Sequence, residues 1–137
     1  MGIYLNPGKQ SFQMSVNSEI FVDKSEMLLY LNSLVNTQKR YVSVSRPRRF
    51  GKTMAADMMS AYYGKGADRD FFAGFKLAKN EDWDKYLGKF DVIRLVMTDF
   101  MGDVNSVSEM IDYLNEEVTE ELMELYPEIR KCQTLRL

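Results

Sequence analysis

The sequence predicts an α/β fold, helices layered on a mostly parallel sheet, and three observations predict it. An apolar run from Tyr41 to Val44 is followed by a tight cationic loop and then by a helical pattern, the order of a βα unit. A second apolar run, Val92 to Met97, is interrupted only by Arg94, which suits a strand covered on both faces by helices. Helical spacing precedes the first run and follows the second. Helix, strand, helix, strand, helix is therefore the expected order.

Residues 1–18 carry Asn-Pro-Gly and Asn-Ser turn signals and little periodicity. They are expected to form an irregular lead-in, with Phe12 and Met14 as candidates to reach the core. Glu19 to Val22 is a candidate short strand. Asp23 to Asn36 is expected to be a helix. Asp23 and Glu26 have capping-box spacing, and Met27, Leu28, Leu31, Leu34 and Val35 make the buried stripe. Asn36 to Lys39 is a polar turn that leads into the strand Arg40 to Ser45. The next helix has Ala55, Met58, Met59 and Tyr62 at i, i+3, i+4 and i+7, and Gly64-Lys65-Gly66 ends it.

Asp68 to Phe75 is rich in aromatics that read as packing residues. Asn80 to Gly88 is expected to be a short helix with Trp83 as an anchor, and Phe90 to Thr98 the second strand. Ser106 and Glu109 form another capping box before a helix from Val107 to about Leu125. Its apolar face carries Val107, Met110, Ile111, Leu114, Val118 and Leu122. The opposite face carries Asp112, Glu116, Glu117, Glu120, Glu121 and Glu124, read as a solvated face, with a basic partner as the sharper alternative. Pro127 stops the helix or begins another turn.

At 137 residues the chain is long enough for one domain, and 45% apolar residues can build a core. The net charge of −2 argues against a generic binder of nucleic acid or membrane surfaces. No apolar run approaches the ~18 residues of a membrane span. No secretory signal is visible at the start. One cysteine, Cys132, permits no internal disulfide, and the composition fits a reducing, cytoplasmic setting. With no histidine, a His-based triad or a His-ligated zinc is excluded within this chain.

The chemistry concentrates between Ser45 and Thr53. Strand, tight loop and a helix opening on Gly51-Lys52-Thr53 is the order a phosphate-binding loop needs. Backbone N–H groups turn inward and the helix N-terminus adds the positive end of its dipole. In the usual Gly-x-x-x-x-Gly-Lys-Ser/Thr pattern the lysine reaches the β and γ phosphates and the hydroxyl binds Mg²⁺. Gly51, Lys52 and Thr53 fill the last three positions, while Arg46 stands where the first glycine belongs. The bland alternative is a basic turn before an ordinary helix. From Lys39 to Lys52 there are six cationic side chains and no acid. Arg48 and Arg49 could clamp phosphate oxygens, pair with acids elsewhere, or touch nucleic acid. Arg46 is read as structural because Pro47 holds it extended, and Phe50 as packing beneath the loop.

Ser45-Arg46-Pro47-Arg48-Arg49-Phe50-Gly51-Lys52-Thr53 resembles the signature of the AAA-ATPase-like family of predicted bacterial and archaeal P-loop ATPases, in which Arg-Pro-Arg-Arg-Phe-Gly-Lys-Ser/Thr replaces the usual loop. Ile20 to Ser25 resembles the family's upstream Tyr-Val-Asp-Lys-Thr/Ser element, and Asp91-Val92-Ile93-Arg94-Leu95 with Asp99-Phe100 its next strand. The resemblance implies a P-loop NTPase-like fold over 19–137 that binds ATP and Mg²⁺. Arg48, Arg49, Phe50, Gly51, Lys52 and Thr53 would lie at the nucleotide, with Thr53 on the metal. It places Asp23-Lys24 near the nucleotide or the loop; the plainer reading of this pair is a helix cap and a solvated lysine.

Hydrolysis also needs a metal-orienting acid at the end of a second strand. Asp99 is the candidate here, but the resemblance puts the Asp-Glu-bearing strand after the long helix. The expected chain is then the N-terminal portion of a larger ATPase, its sheet incomplete at the C-terminus, completed by the rest of the domain or an oligomer partner. Rival readings are a degenerate, non-catalytic interaction module and a basic-loop nucleic-acid binder.

Overall fold

Among the described residues, apolar positions spaced three and four apart fall on helices over Glu26–Leu34, Lys52–Tyr63 and Val107–Leu125, while the two apolar runs form no strand. The computed structural model describes residues 2–49, 51–102 and 104–131. Among them are five α-helices: α1 (Gln10–Val16), α2 (Glu26–Leu34), α3 (Lys52–Tyr63), α4 (Arg69–Ala73) and α5 (Val107–Leu125). Single 3-10 turns cover Lys76–Lys79, Met97–Phe100 and Pro127–Lys131. Phe50 and Cys132 lie outside the described residues.

The expected α/β layer, a P-loop NTPase-like fold with a mostly parallel sheet, is not what forms. The described residues contain no strand, only two isolated bridges, Leu5 with Ile93 (antiparallel) and Gly64 with Phe90 (parallel). The reason is pairing. A β-rich run becomes a strand only where a neighbouring chain takes up its N–H and C=O groups over several residues. Residues 41–49 run exposed throughout, with Tyr41 82% accessible. Residues 90–94 are touched at separate points instead. Phe90 N–H donates to Tyr63 O at 3.0 Å, Val92 O accepts from Asn6 N–H at 2.8 Å, and Arg94 N–H donates to Tyr4 O at 2.8 Å. Glu19 to Val22 forms no strand either.

The core is aromatic and lies among α1 to α4. Phe12, Leu28, Met58, Ala61, Tyr62, Phe72, Leu77 and Trp83 are buried together. Phe12 stacks on Phe72 at 6.0 Å and meets Phe71 edge-on at 5.9 Å, while Tyr62 meets Phe72 edge-on at 5.5 Å, geometries that aromatic quadrupoles favour. Phe12 therefore belongs to the core, and the irregular stretch expected before residue 18 contains α1, packed on α3. Met14, on the other face, is exposed.

Other boundaries move for local reasons. α2 is shorter than Asp23–Asn36 because Asp23 folds into a turn, accepting the Ser25 N–H at 2.8 Å, and Asn36 takes a left-handed φ of 61°. Asn80–Gly88 is a chain of turns, not a helix; the Asn80 side chain takes the Asp82 N–H at 3.1 Å in an Asx turn, and the backbone bonds that follow, Trp83 to Asn80, Lys85 to Asp82 and Leu87 to Asp84, span three residues rather than the four of an α-helix. Trp83 is nevertheless the expected anchor, its carbonyl accepting the Tyr62 hydroxyl.

α3 and α5 occupy their expected ranges. A Cβ on Gly64, immediately after α3, would come within 2.6 Å of the Ser60 carbonyl, so the tight exit requires glycine. Ser106 caps α5, accepting the Glu109 N–H at 3.2 Å, while the Glu109 carboxylate takes the Asn105 N–H. One acid of the supposedly solvated face has a structural task. Glu121 accepts the N–H groups of Tyr4 (3.1 Å) and Leu5 (2.7 Å), fastening α5 to the N-terminal segment. No helix of the described residues is long and apolar enough to cross a membrane.

Candidate phosphate-binding loop

The segment between α2 and α3 reaches the loop without regular secondary structure and turns at Arg48–Arg49. Two left-handed residues shape the entry into α3, Arg49 at φ 67° and Gly51 at φ 78°. That region costs an L-residue with a Cβ roughly 1–2 kcal/mol, which explains glycine at position 51. Gly51 is the N-cap of the twelve-residue α3, and no side chain caps the helix. Lys52 and Thr53 open its first turn, both exposed. The Lys52 ammonium donates to the Arg46 carbonyl, joining the two ends of the loop.

Arg46, Arg48 and Arg49 are exposed beside it. Phe50 lies outside the described residues. Lys24 arrives from a separate part of the chain: its Nζ lies 3.5 Å from the position of a Cβ built on Gly51. The structure thus brings Gly51, Lys52, Thr53 and Lys24 to one place. An apolar cavity of about 230 Å³ adjoins Lys52, lined by Met27, Tyr30, Val42, Val44 and Met59 among others.

Asp99 has different surroundings. It is exposed in the 3-10 turn Met97–Phe100. Its charge acts on the Tyr4 phenol together with Glu117, Tyr113 and Glu121. Burial first, then these neighbours, raise the pKa of that phenol above its ordinary value. Among the described residues no three His, Cys, Asp or Glu side chains converge on a possible metal position.

Sequence reasoning missed one pairing that holds the site helix. Asp57, on the second turn of α3, meets Arg94 at 2.7 Å with both side chains largely buried. Burial raises the Asp57 pKa and the Arg94 charge opposes that rise. Arg94 Nε is buried and makes no hydrogen bond among the described residues. The signal available was Arg94 itself, the one charge in an otherwise apolar run.

Residues 7–135 match a protein family described as AAA-ATPase-like, predicted AAA-ATPase. No curated protein and no solved structure matches the chain.

Proposed function

The chain belongs to the AAA-ATPase-like family, and on that premise we propose that the loop Arg46–Thr53 binds the phosphates of ATP with Mg²⁺. The observation that carries the reading is Gly51, left-handed at the uncapped N-terminus of α3 with Lys52 and Thr53 next. Amides from Arg48 to Thr53 would cradle phosphate oxygens, favoured by the helix dipole. Lys52 would leave the Arg46 carbonyl and neutralise β/γ-phosphate charge. Arg48 and Arg49 would add bidentate donors.

The donor set fits the ligand. It is cationic and amide-rich for the anion. Thr53 offers Mg²⁺ a single hydroxyl, which suits an ion that keeps waters and takes most of its ligands from phosphate.

Isothermal calorimetry of Mg²⁺-ATP tests this, with Lys52→Ala as the partner measurement. Loss of one charge-assisted contact should weaken binding at least tenfold while leaving the melting temperature near that of the unaltered chain. Equal affinity in the two proteins would refute the proposal. The exposure of Arg46, Arg48 and Arg49 favours a second reading, a polyanion-binding loop. A steep fall of affinity for single-stranded nucleic acid with salt, without competition by ATP, would select it.

A further inference from the structure

Three consecutive residues ahead of α2 serve two different places. Asp23 and Ser25 bind the start of the 3-10 turn Lys76–Lys79. The Asp23 carboxylate accepts the Lys76 N–H at 2.7 Å as well as the Ser25 N–H at 2.8 Å. The Ser25 hydroxyl, fully buried, accepts the Leu77 N–H at 3.1 Å. Leu77 belongs to the aromatic core, so the backbone at 23–25 is fixed to the buried centre of the molecule. Burial works against the Asp23 charge, but the hydrogen bonds from Ser25 and Lys76 outweigh it and hold its carboxyl below the usual range. It stays an anionic acceptor at neutral pH.

Lys24, between these two anchors, is exposed and faces the loop, with its Nζ at Gly51. We infer that Lys24 is a second phosphate-binding cation, supplied to the loop from outside the loop's own sequence and aimed at an oxyanion held over Gly51. The inference rests on the nucleotide reading above. Lys52 approaches from the first turn of α3 and reaches the Arg46 carbonyl. Lys24 approaches from the anchored segment and reaches the opposite end of the loop. With no side chain, Gly51 leaves room beside the Lys24 ammonium for phosphate oxygens. Because Asp23 and Ser25 fix its backbone, Lys24 loses less freedom on binding than a lysine on a mobile segment. A second cation also favours the more highly charged ligand, so a nucleoside triphosphate gains more from Lys24 than a diphosphate.

Calorimetry with Mg²⁺-ATP and Mg²⁺-ADP on the unaltered chain, Lys24→Ala, Lys24→Arg and Lys52→Ala tests this. Lys24→Ala should lose about tenfold in Mg²⁺-ATP affinity, with a smaller loss for Mg²⁺-ADP, and Lys24→Arg should recover most of it. If Lys24→Ala binds both nucleotides as tightly as the unaltered chain while Lys52→Ala does not, the Lys24 assignment is wrong and the nucleotide site stands. If the unaltered, folded chain binds neither nucleotide, both fall. A measurement that needs no variant guards against misfolding: acetylation of the unaltered chain, read by mass spectrometry. Mg²⁺-ATP should protect Lys24 from the reagent, and equal modification with and without nucleotide would overturn the inference.

Discussion

The two ends of α3 are built on opposite rules. Its N-terminal turn is exposed, opens on a left-handed glycine, and presents Lys52 and Thr53 with no side-chain cap. Its C-terminal half buries Met58, Ala61 and Tyr62 in the aromatic core. One helix therefore has the proposed anion-binding turn at one end and its own support at the other. Burial and dispersion stabilise the second end. They do nothing for the first, where charge and backbone direction decide. Stability and binding should separate cleanly between the two.

The largest expected effect breaks the supporting end. Phe72→Ala removes a ring that touches Phe12, Phe71, Phe75 and Tyr62. It should cost about 3–5 kcal/mol in urea unfolding, enough to weaken nucleotide binding indirectly. A loss below about 1 kcal/mol would mean that the cluster repacks freely. Lys52→Ala is the converse change, with binding lost and stability nearly kept.

The middle of α3 sharpens the contrast. Arg94→Ala leaves Asp57 largely buried without its cation and should cost about 2 kcal/mol, while the joint replacement Asp57→Leu with Arg94→Met should recover most of that. Single and joint replacements that simply add would show that the pair is not coupled.

The smallest effect lies just past the C-terminal end of α3. Asp91 accepts from Lys65 (2.6 Å), Tyr126 (2.6 Å) and Asn6 (3.0 Å). The Lys65 bond first, then those from Tyr126 and Asn6, hold its carboxyl at about 2 against the usual 3.8. A carboxyl lowered on folding contributes stability that is present above the unfolded value and lost as pH falls through the folded one. The unaltered chain should therefore lose stability between about pH 4 and pH 2. Asp91→Asn should show a shallower decline across that window in denaturant midpoints. Parallel declines would remove the cluster from the account of acid sensitivity.

Much of the helical layout is legible in the residues. The spacing of Met58, Met59 and Tyr62 and the capping residue Ser106 depend on contacts within a few positions, which a sequence displays directly. The boundaries of α3 and α5 follow from them. That the described residues form no sheet is not legible. Tyr41 to Val44 and Val92 to Met97 have strand chemistry, yet strand formation is a property of a pair, and no residue in either run reports whether a partner lies alongside. The turns at Asn80–Gly88 depart from the expected helix through their backbone bonds, which close over three residues instead of four, a choice that the apolar spacing of Trp83, Tyr86 and Leu87 does not display.

The sequence alone determined the cationic loop, the glycine before Lys52 and Thr53, and the family they indicate, because identity and local order suffice for these. Tertiary structure decided where distant residues meet. It placed Lys24 at Gly51 through anchors on Lys76 and Leu77, paired Asp57 with Arg94, set Glu121 against the N-terminal backbone, and left segment 41–49 exposed. Each of these depends on separations of tens of residues, closed by burial of the aromatic core rather than by any local preference.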